Sequence, residues 1–182
     1  MPEQHHPDVQ RLLDRQAISD CVHRYSRGLD RHDDAMVASC YWDDAIDEHG
    51  AFTGSPQEFI AWANDLHATS FRGHQHHITT QTVEIDGDTA HAESYILGVL
   101  TRKGDGEVSD IAGGRYLDRL ERRDGEWRMT LRVATFEFNE LRPMVIGDPG
   151  SGLDQMPRRE RRGREDPVFD LLEGRKIAGI ES

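Results

Sequence analysis

Cysteine and long apolar runs are both scarce in this chain of 182 residues. Its two cysteines, Cys21 and Cys40, form no CxxC pair, so we expect neither a disulfide framework nor a structural zinc site. No stretch approaches the roughly 20 apolar residues that span a bilayer. The first residues also lack the charged-then-apolar pattern of a secretory signal. These absences predict a cytoplasmic globular protein that has no membrane partner.

Basic residues are also fewer than acidic ones. The chain has 34 acidic against 22 basic residues, a formal net charge of -12. Such a surface repels phosphate backbones, so we expect no nucleic-acid partner. The one basic run, "RRERRGR" at 158–164, is offset by Glu160 and Glu165 and indicates a solvated or subunit-contacting tail.

Three helices are predicted in the first 70 residues. Apolar residues at three-and-four spacing predict an amphipathic helix over 8–30, and Asp33 or Asp34 can begin a short second helix. "WDDAIDEHGAF" is too mixed for a helix and indicates a strand or extended link. Ser55 followed by Glu58 is a capping box that begins a third helix.

After residue 70 the pattern becomes that of long strands. Turn signals at 86–88, 104–106 and 123–125 separate β-compatible runs, which predicts an antiparallel meander with a bulge or sharp bend at Gly113-Gly114. The last strand carries Trp127, Met129, Leu131 and Val133 on one predicted face and Ala134, Phe136 and Phe138 on the other. Both faces are therefore expected to be covered, one by the helices and one by a neighbouring subunit in a homo-oligomer. Residues 1–142 are predicted to form one domain, and residues 143–182 an extension that docks on the domain or a neighbouring subunit.

The order of these segments resembles the SnoaL-like group of the nuclear transport factor two superfamily, which includes scytalone dehydratase, bile acid dehydratase and the hexachlorocyclohexane dehydrochlorinase. The matching pieces are "RQAISDCVHRYSRGLDRHD", "YWDDA", "HHITTQTVEIDGDTAHAESY" and "GGRYLDRLERRDGEWRMTLR", within residues 9–140, and "GREDPVF" in the tail. The resemblance implies an α+β fold. Its cone-shaped, curved antiparallel sheet is a half barrel closed by N-terminal helices around an apolar pocket.

Eliminating members of this group use a His–Asp pair in the pocket, a Tyr one turn before the Asp and an Arg from the final strand. Carried over to matching positions, the resemblance implies His77, Asp30, Tyr25 and Arg132 as catalytic residues. One departure is Gln81, which stands where the group often has Asn.

The run "GHQHH" at 73–77 can also be interpreted without reference to the family. Neighbouring strand residues point to opposite faces, so His76 and His77 should not both face inward. His77 is predicted to share a face with Thr79, Gln81, Val83 and Ile85. A general base at His77 is our preferred interpretation. Metal binding through a loop-like strand entrance and a surface role for all three histidines remain alternatives.

Each partner residue has a chemical rationale and an alternative. A buried carboxylate fixes the tautomer of an imidazole base and stabilises the imidazolium, although Asp30 could instead be a solvated helix-end acid. The Tyr25 hydroxyl could stabilise enolate charge or simply pack in the core. Arg132, in an apolar strand, needs an anionic partner: Asp30, another acid or a departing anion.

We therefore expect a cofactor-independent lyase of the dehydratase type that acts on a small apolar cyclic molecule. An isomerase or cyclase, and a non-catalytic ligand-binding module, are the alternatives. The absence of a glycine-rich nucleotide fingerprint supports the expectation that there is no cofactor. The predicted pocket residues are Trp42, Phe52, Phe59, Trp62, Tyr95, Leu97 and Met129. The expected assembly is a homodimer or homotrimer.

Overall fold

The computed structural model describes residues 6–104, 108–143 and 165–175. Its helices are α1 (Pro7–Arg31), α2 (Asp34–Ala38), α3 (Pro56–Ser70) and α4 (Pro167–Leu172). Its strands are β1 (Tyr41–Glu48), β2 (Thr53–Gly54), β3 (Phe71–Asp86), β4 (Thr89–Arg102), β5 (Val108–Arg123) and β6 (Glu126–Pro143). The helices pack on a curved, unclosed six-stranded sheet, so the α+β prediction is confirmed.

The predicted helix starts are confirmed in detail. Asp33 caps α2 by accepting a hydrogen bond from the Met36 amide. Ser55 and Glu58 form the predicted reciprocal capping box at the start of α3. Within the described ranges, no helix has both the length and the apolar content that a membrane crossing requires.

The sheet order is β2-β1-β6-β5-β4-β3. Strands β3 to β6 form the predicted antiparallel meander. Strand β1 pairs in parallel with β6, which was not predicted. The β5–β6 register shifts between Gly113 and Gly114, which confirms the predicted bulge. A Cβ atom at Gly114 would lie 2.0 Å from the Thr135 carbonyl oxygen, so this close approach of two strands requires glycine.

Two further bulges decide which side chains face the helices. One extra residue interrupts β3 between Ile78 and Gln81, and another interrupts β6 at Thr130. Each bulge exchanges the two faces of its strand. The prediction that Leu131 shares a face with Met129 was therefore wrong: Met129 is buried, whereas Leu131 is only partly buried.

An ion pair lies inside the core. Arg132 is fully buried, and its Nε and Nη2 donate to the Asp118 carboxylate at 2.7 and 2.6 Å. The guanidinium carbon lies 3.9 Å from the ring centre of Tyr25 and 4.0 Å from that of Tyr116. Of the anionic partners predicted for Arg132, the structure shows an acid other than Asp30, namely Asp118. The two aromatic faces add cation–π attraction in a desolvated setting.

The described part of the tail contacts the end of α1. Arg31 Nε lies 3.3 Å from Asp166 Oδ2, and Phe169 in α4 is buried. Residues 144–164, which include the basic run, and residues 176–182 lie outside the described residues. The docking of the whole extension, and the boundary at residue 142, therefore stay predictions.

We expect Asp118→Asn to lower the free energy of unfolding by about 3–5 kcal/mol, because it leaves a buried guanidinium without its counter-charge. Urea denaturation measures this. The control is Glu137→Gln, which breaks a partly exposed pair with Arg115 and should cost no more than about 1 kcal/mol. Equal stabilities of the two variants would contradict the importance of the buried pair.

Candidate functional site

Asp30 and His76 form a hydrogen-bonded pair between α1 and β3. His76 Nδ1 lies 2.7 Å from Asp30 Oδ1, and the His76 backbone amide donates to both carboxylate oxygens at 3.1 and 3.0 Å. The two side chains are only 11% and 13% exposed. An ionised carboxylate only accepts hydrogen bonds, so Nδ1 carries a hydrogen, and in the neutral ring Nε2 keeps its lone pair. This is the geometry that a general base requires.

The histidine beside Asp30 is not the one that the sequence predicted. His77 is exposed, on the face of β3 away from the helices. The physical reason is the bulge between Ile78 and Gln81, which breaks the alternation on which the choice of His77 depended. The predicted pairing of Asp30 with His77 was therefore wrong by one residue. The histidine that pairs with Asp30 is His76.

His76 borders an apolar cavity of about 220 Å³. The wall consists of His49, Gly50, His76, Ile96, Gly98, Leu100, Ala112, Gly113, Gly114, Tyr116, Ala134, Thr135 and Phe136. A second cavity, of about 270 Å³, reaches Asp30 and His76 from the side of α1. A cavity of about 420 Å³ opens on the outer face of the sheet, but neither His76 nor His49 borders it. We assign the site to the smaller apolar cavity because two histidines with carboxylate partners border it.

The second of these histidines is His49. Its Nδ1 lies 2.7 Å from Asp47 Oδ1, and Tyr41 donates to Asp47 Oδ2 at 2.5 Å. Asp47 is fully buried, whereas the His49 side chain is 20% exposed. Sequence reasoning predicted a strand or extended link over 42–52 but singled out neither residue as functional. The available signal was the two-residue spacing of Asp47 and His49, which lets their side chains meet at the end of β1.

Tyr25 and Arg132 lie in the core and do not border the cavity beside His76. Tyr25 packs against Tyr41, Phe59 and Tyr116, and burial raises the pKa of its phenol well above the ordinary value. Its hydroxyl and Arg132 Nη1 are buried without a hydrogen-bond partner among the described residues. Tyr116 is the tyrosine that borders the cavity.

The predicted pocket residues lie elsewhere. Phe59 and Met129 are buried in the core, and Phe52 and Trp62 stack on each other beside it. Tyr95, Leu97 and Trp42 also lie outside the cavity wall. Tyr95 is 45% exposed, and Trp42 donates its indole N–H to the Glu121 carbonyl. For Tyr95 and Leu97 the reason is that the inward positions on β4 are Ile96, Gly98 and Leu100, whereas the opposite parity was chosen.

Three more histidines, His32, His67 and His74, meet behind the Asp30–His76 pair and could hold a metal ion. The ring centres of His74 and His67 lie 5.8 and 6.0 Å from that of His76. His74 Nε2 lies 3.0 Å from the Leu29 carbonyl oxygen. Burial lowers the pKa of His74 to about 4, so this ring is neutral near pH 7.

Sequence comparisons agree with this architecture. The profile of the SnoaL-like domain matches residues 10–133. A gamma-hexachlorocyclohexane dehydrochlorinase of Sphingobium indicum is 29% identical over 148 residues, which cover 79% of this chain and 94% of the relative. Hexachlorocyclohexane dehydrochlorinase 1 of the same species is 28% identical over 153 residues, covering 81% and 98%.

Solved structures show the same fold. A type 2 LinA hexachlorocyclohexane dehydrochlorinase superposes with a TM-score of 0.70 at 24% identity, covering 79% of this chain and 99% of that one. A putative scytalone dehydratase from Novosphingobium aromaticivorans gives a TM-score of 0.65 at 20% identity, covering 73% and 90%. Because the SnoaL-like profile spans more than half of the chain and the fold agrees, the chain belongs to the SnoaL-like family, within the nuclear transport factor two-like superfamily.

Proposed function

We propose that this protein is a cofactor-independent lyase that eliminates HX, where X is halide or hydroxide, from a small apolar cyclic substrate. The observation that carries the proposal is the Asp30–His76 pair at the edge of an apolar cavity. The dehydrochlorinase activity named for the relatives supports a lyase of this kind. The volume of about 220 Å³ suits one small ring compound.

The proposed reaction begins with proton transfer to His76. Its Nε2 takes a proton from the carbon next to the one that bears X. The electrons of the broken C–H bond form the new C=C bond, and X leaves with its own bonding pair. Asp30 stabilises the imidazolium that results, and general-base catalysis of this type contributes about 10²–10⁴-fold.

His49 is our candidate for stabilising the leaving group. It borders the same cavity as His76, and its Nδ1 lies 2.7 Å from Asp47 Oδ1. In its doubly protonated form, His49 would donate its Nε2 proton to a departing hydroxide, which becomes water. We transfer this role from Arg132, since Asp118 already occupies two of its nitrogens away from the cavity. Tyr116 likewise replaces Tyr25 as the phenol within reach of a bound substrate.

The proposed activity is tested with a panel of cyclic compounds that carry chloride or hydroxyl next to an acidic C–H, with gamma-hexachlorocyclohexane as the first member. Mass spectrometry should find a product lighter by HCl or water. A product of unchanged mass would indicate an isomerase or cyclase instead. Binding without turnover, and without exchange of the ligand's C–H for deuterium in D₂O, would indicate a ligand-binding module.

We expect His76→Ala to lower kcat by at least about 10²-fold, because the base is removed. Asp30→Asn should also lower kcat, since the amide cannot stabilise the imidazolium as a carboxylate does. The matched control is His77→Ala, the neighbouring exposed position, which should keep activity within about twofold of wild type. Steady-state kinetics with the best panel substrate measures all three. Loss of activity in the His77 variant, with full activity in the His76 variant, would reverse the assignment.

We also propose that the protein is a homodimer or homotrimer joined through the outer face of its sheet. Ile46, Tyr95 and Leu117 are 49%, 45% and 36% exposed there, next to the 420 Å³ cavity that Leu117 borders. Light scattering should give two or three times the chain mass of 20.7 kDa. Leu117→Arg should reduce that mass to one chain. A monomeric wild-type protein would contradict this proposal.

A further inference from the structure

Three histidines from three separate elements converge behind the catalytic cavity. His32 follows the last residue of α1, His67 lies in the last turn of α3, and His74 lies in β3. One ring nitrogen of each lies within 4.8 Å of the corresponding nitrogens of the other two. His67 and His74 are 6% and 3% exposed and His32 is partly buried, so most of the cluster is internal. Buried imidazoles that converge in this way are the usual ligands of zinc and related ions.

The hydrogen bonding of His74 gives a second, independent indication. Its Nε2 must donate to the Leu29 carbonyl, because a carbonyl oxygen only accepts. In the neutral ring, Nδ1 then carries a lone pair, and this atom is buried without a hydrogen-bond partner among the described residues. A histidine that binds a metal typically donates its other N–H to a backbone carbonyl in this manner.

The backbone at His32 favours the same arrangement. His32 has a φ of 51° and a ψ of 42°, in the left-handed region, where its amide closes the end of α1 by donating to Gly28 and Leu29. Histidine is one of the few non-glycine residues enriched in this conformation. The turn brings the His32 ring to 5.3 Å from that of His74 and 5.9 Å from that of His67, between ring centres.

We propose that His32, His67 and His74 bind one divalent transition-metal ion, of which Zn²⁺ is the best match. Tetrahedral bonds of 2.0–2.1 Å would place the nitrogens about 3.4 Å apart, so the cluster contracts slightly around the ion. Three protein ligands leave the fourth position to water. The ion ties the end of α1, which carries Asp30, to β3, which carries His76. It therefore holds the two members of the proposed base in register.

The test measures metal binding directly and does not depend on activity. Untagged protein, freed of metal by dialysis against a chelator, is titrated with Co²⁺ and then with Zn²⁺. We expect one Co²⁺ per chain with the strong visible absorption of a tetrahedral site, lost when Zn²⁺ displaces it. Zn²⁺ should also raise the melting temperature, because it binds the folded state.

Variants locate the ion. His67→Gln and His32→Gln should each weaken binding by more than about 100-fold, since loss of an outer partner alone costs 10–100-fold. Two controls should bind normally: His77→Gln, an exposed position on the same strand, and the double change His5→Gln/His6→Gln, which removes the N-terminal histidine pair. Circular dichroism checks that each variant folds. The proposal is overturned if the wild type binds no ion, or if only the N-terminal double variant loses binding.

Discussion

The attachment of the end of α1 to the first half of β3 is the contact on which the candidate site depends. Asp30 accepts both the ring N–H and the backbone N–H of His76, and His74 holds the Leu29 carbonyl one residue earlier. The Leu29 carbonyl also accepts the His32 amide that closes α1, so the bond from His74 attaches an already closed helix end to β3. Together these bonds hold the helix end against β3 and orient the imidazole, so the position of the base follows from the way the helix ends.

The helices and the meander were predictable because their signals are local. Ser55 and Glu58 are three residues apart, and both partners of the capping box are visible in the sequence. The end of α1 was also clear, so Asp30 was placed correctly beside the entrance to β3. Capping and periodicity involve neighbours in sequence, and one chain is enough to detect them.

The faces of the strands were not predictable to the same degree. One extra residue between Ile78 and Gln81 decides whether His76 or His77 faces the helices. In β6 the extra residue Thr130 likewise decides that Arg132 faces the core. A bulge depends on strand pairing across the sheet, which the sequence does not display. The two unpredicted bulges thus account for the wrong histidine and for the misplaced apolar face of β6. The parallel pairing of β1 with β6 is equally long-range, whereas the Asp47–His49 pair is local and was overlooked.

Both bulges bring polar groups inward, and each such group has its partner on another segment. His76 is matched by Asp30 from α1, and Arg132 by Asp118 from β5. Because removing one member leaves a buried charge or donor uncompensated, these pairs constrain how the elements can pack. A one-residue slip of β3 would turn its core-facing side chains outward and break the 2.7 Å contact between His76 and Asp30. The polar pairs therefore act together with the apolar pattern to specify the register that places His76 and His49 on one cavity.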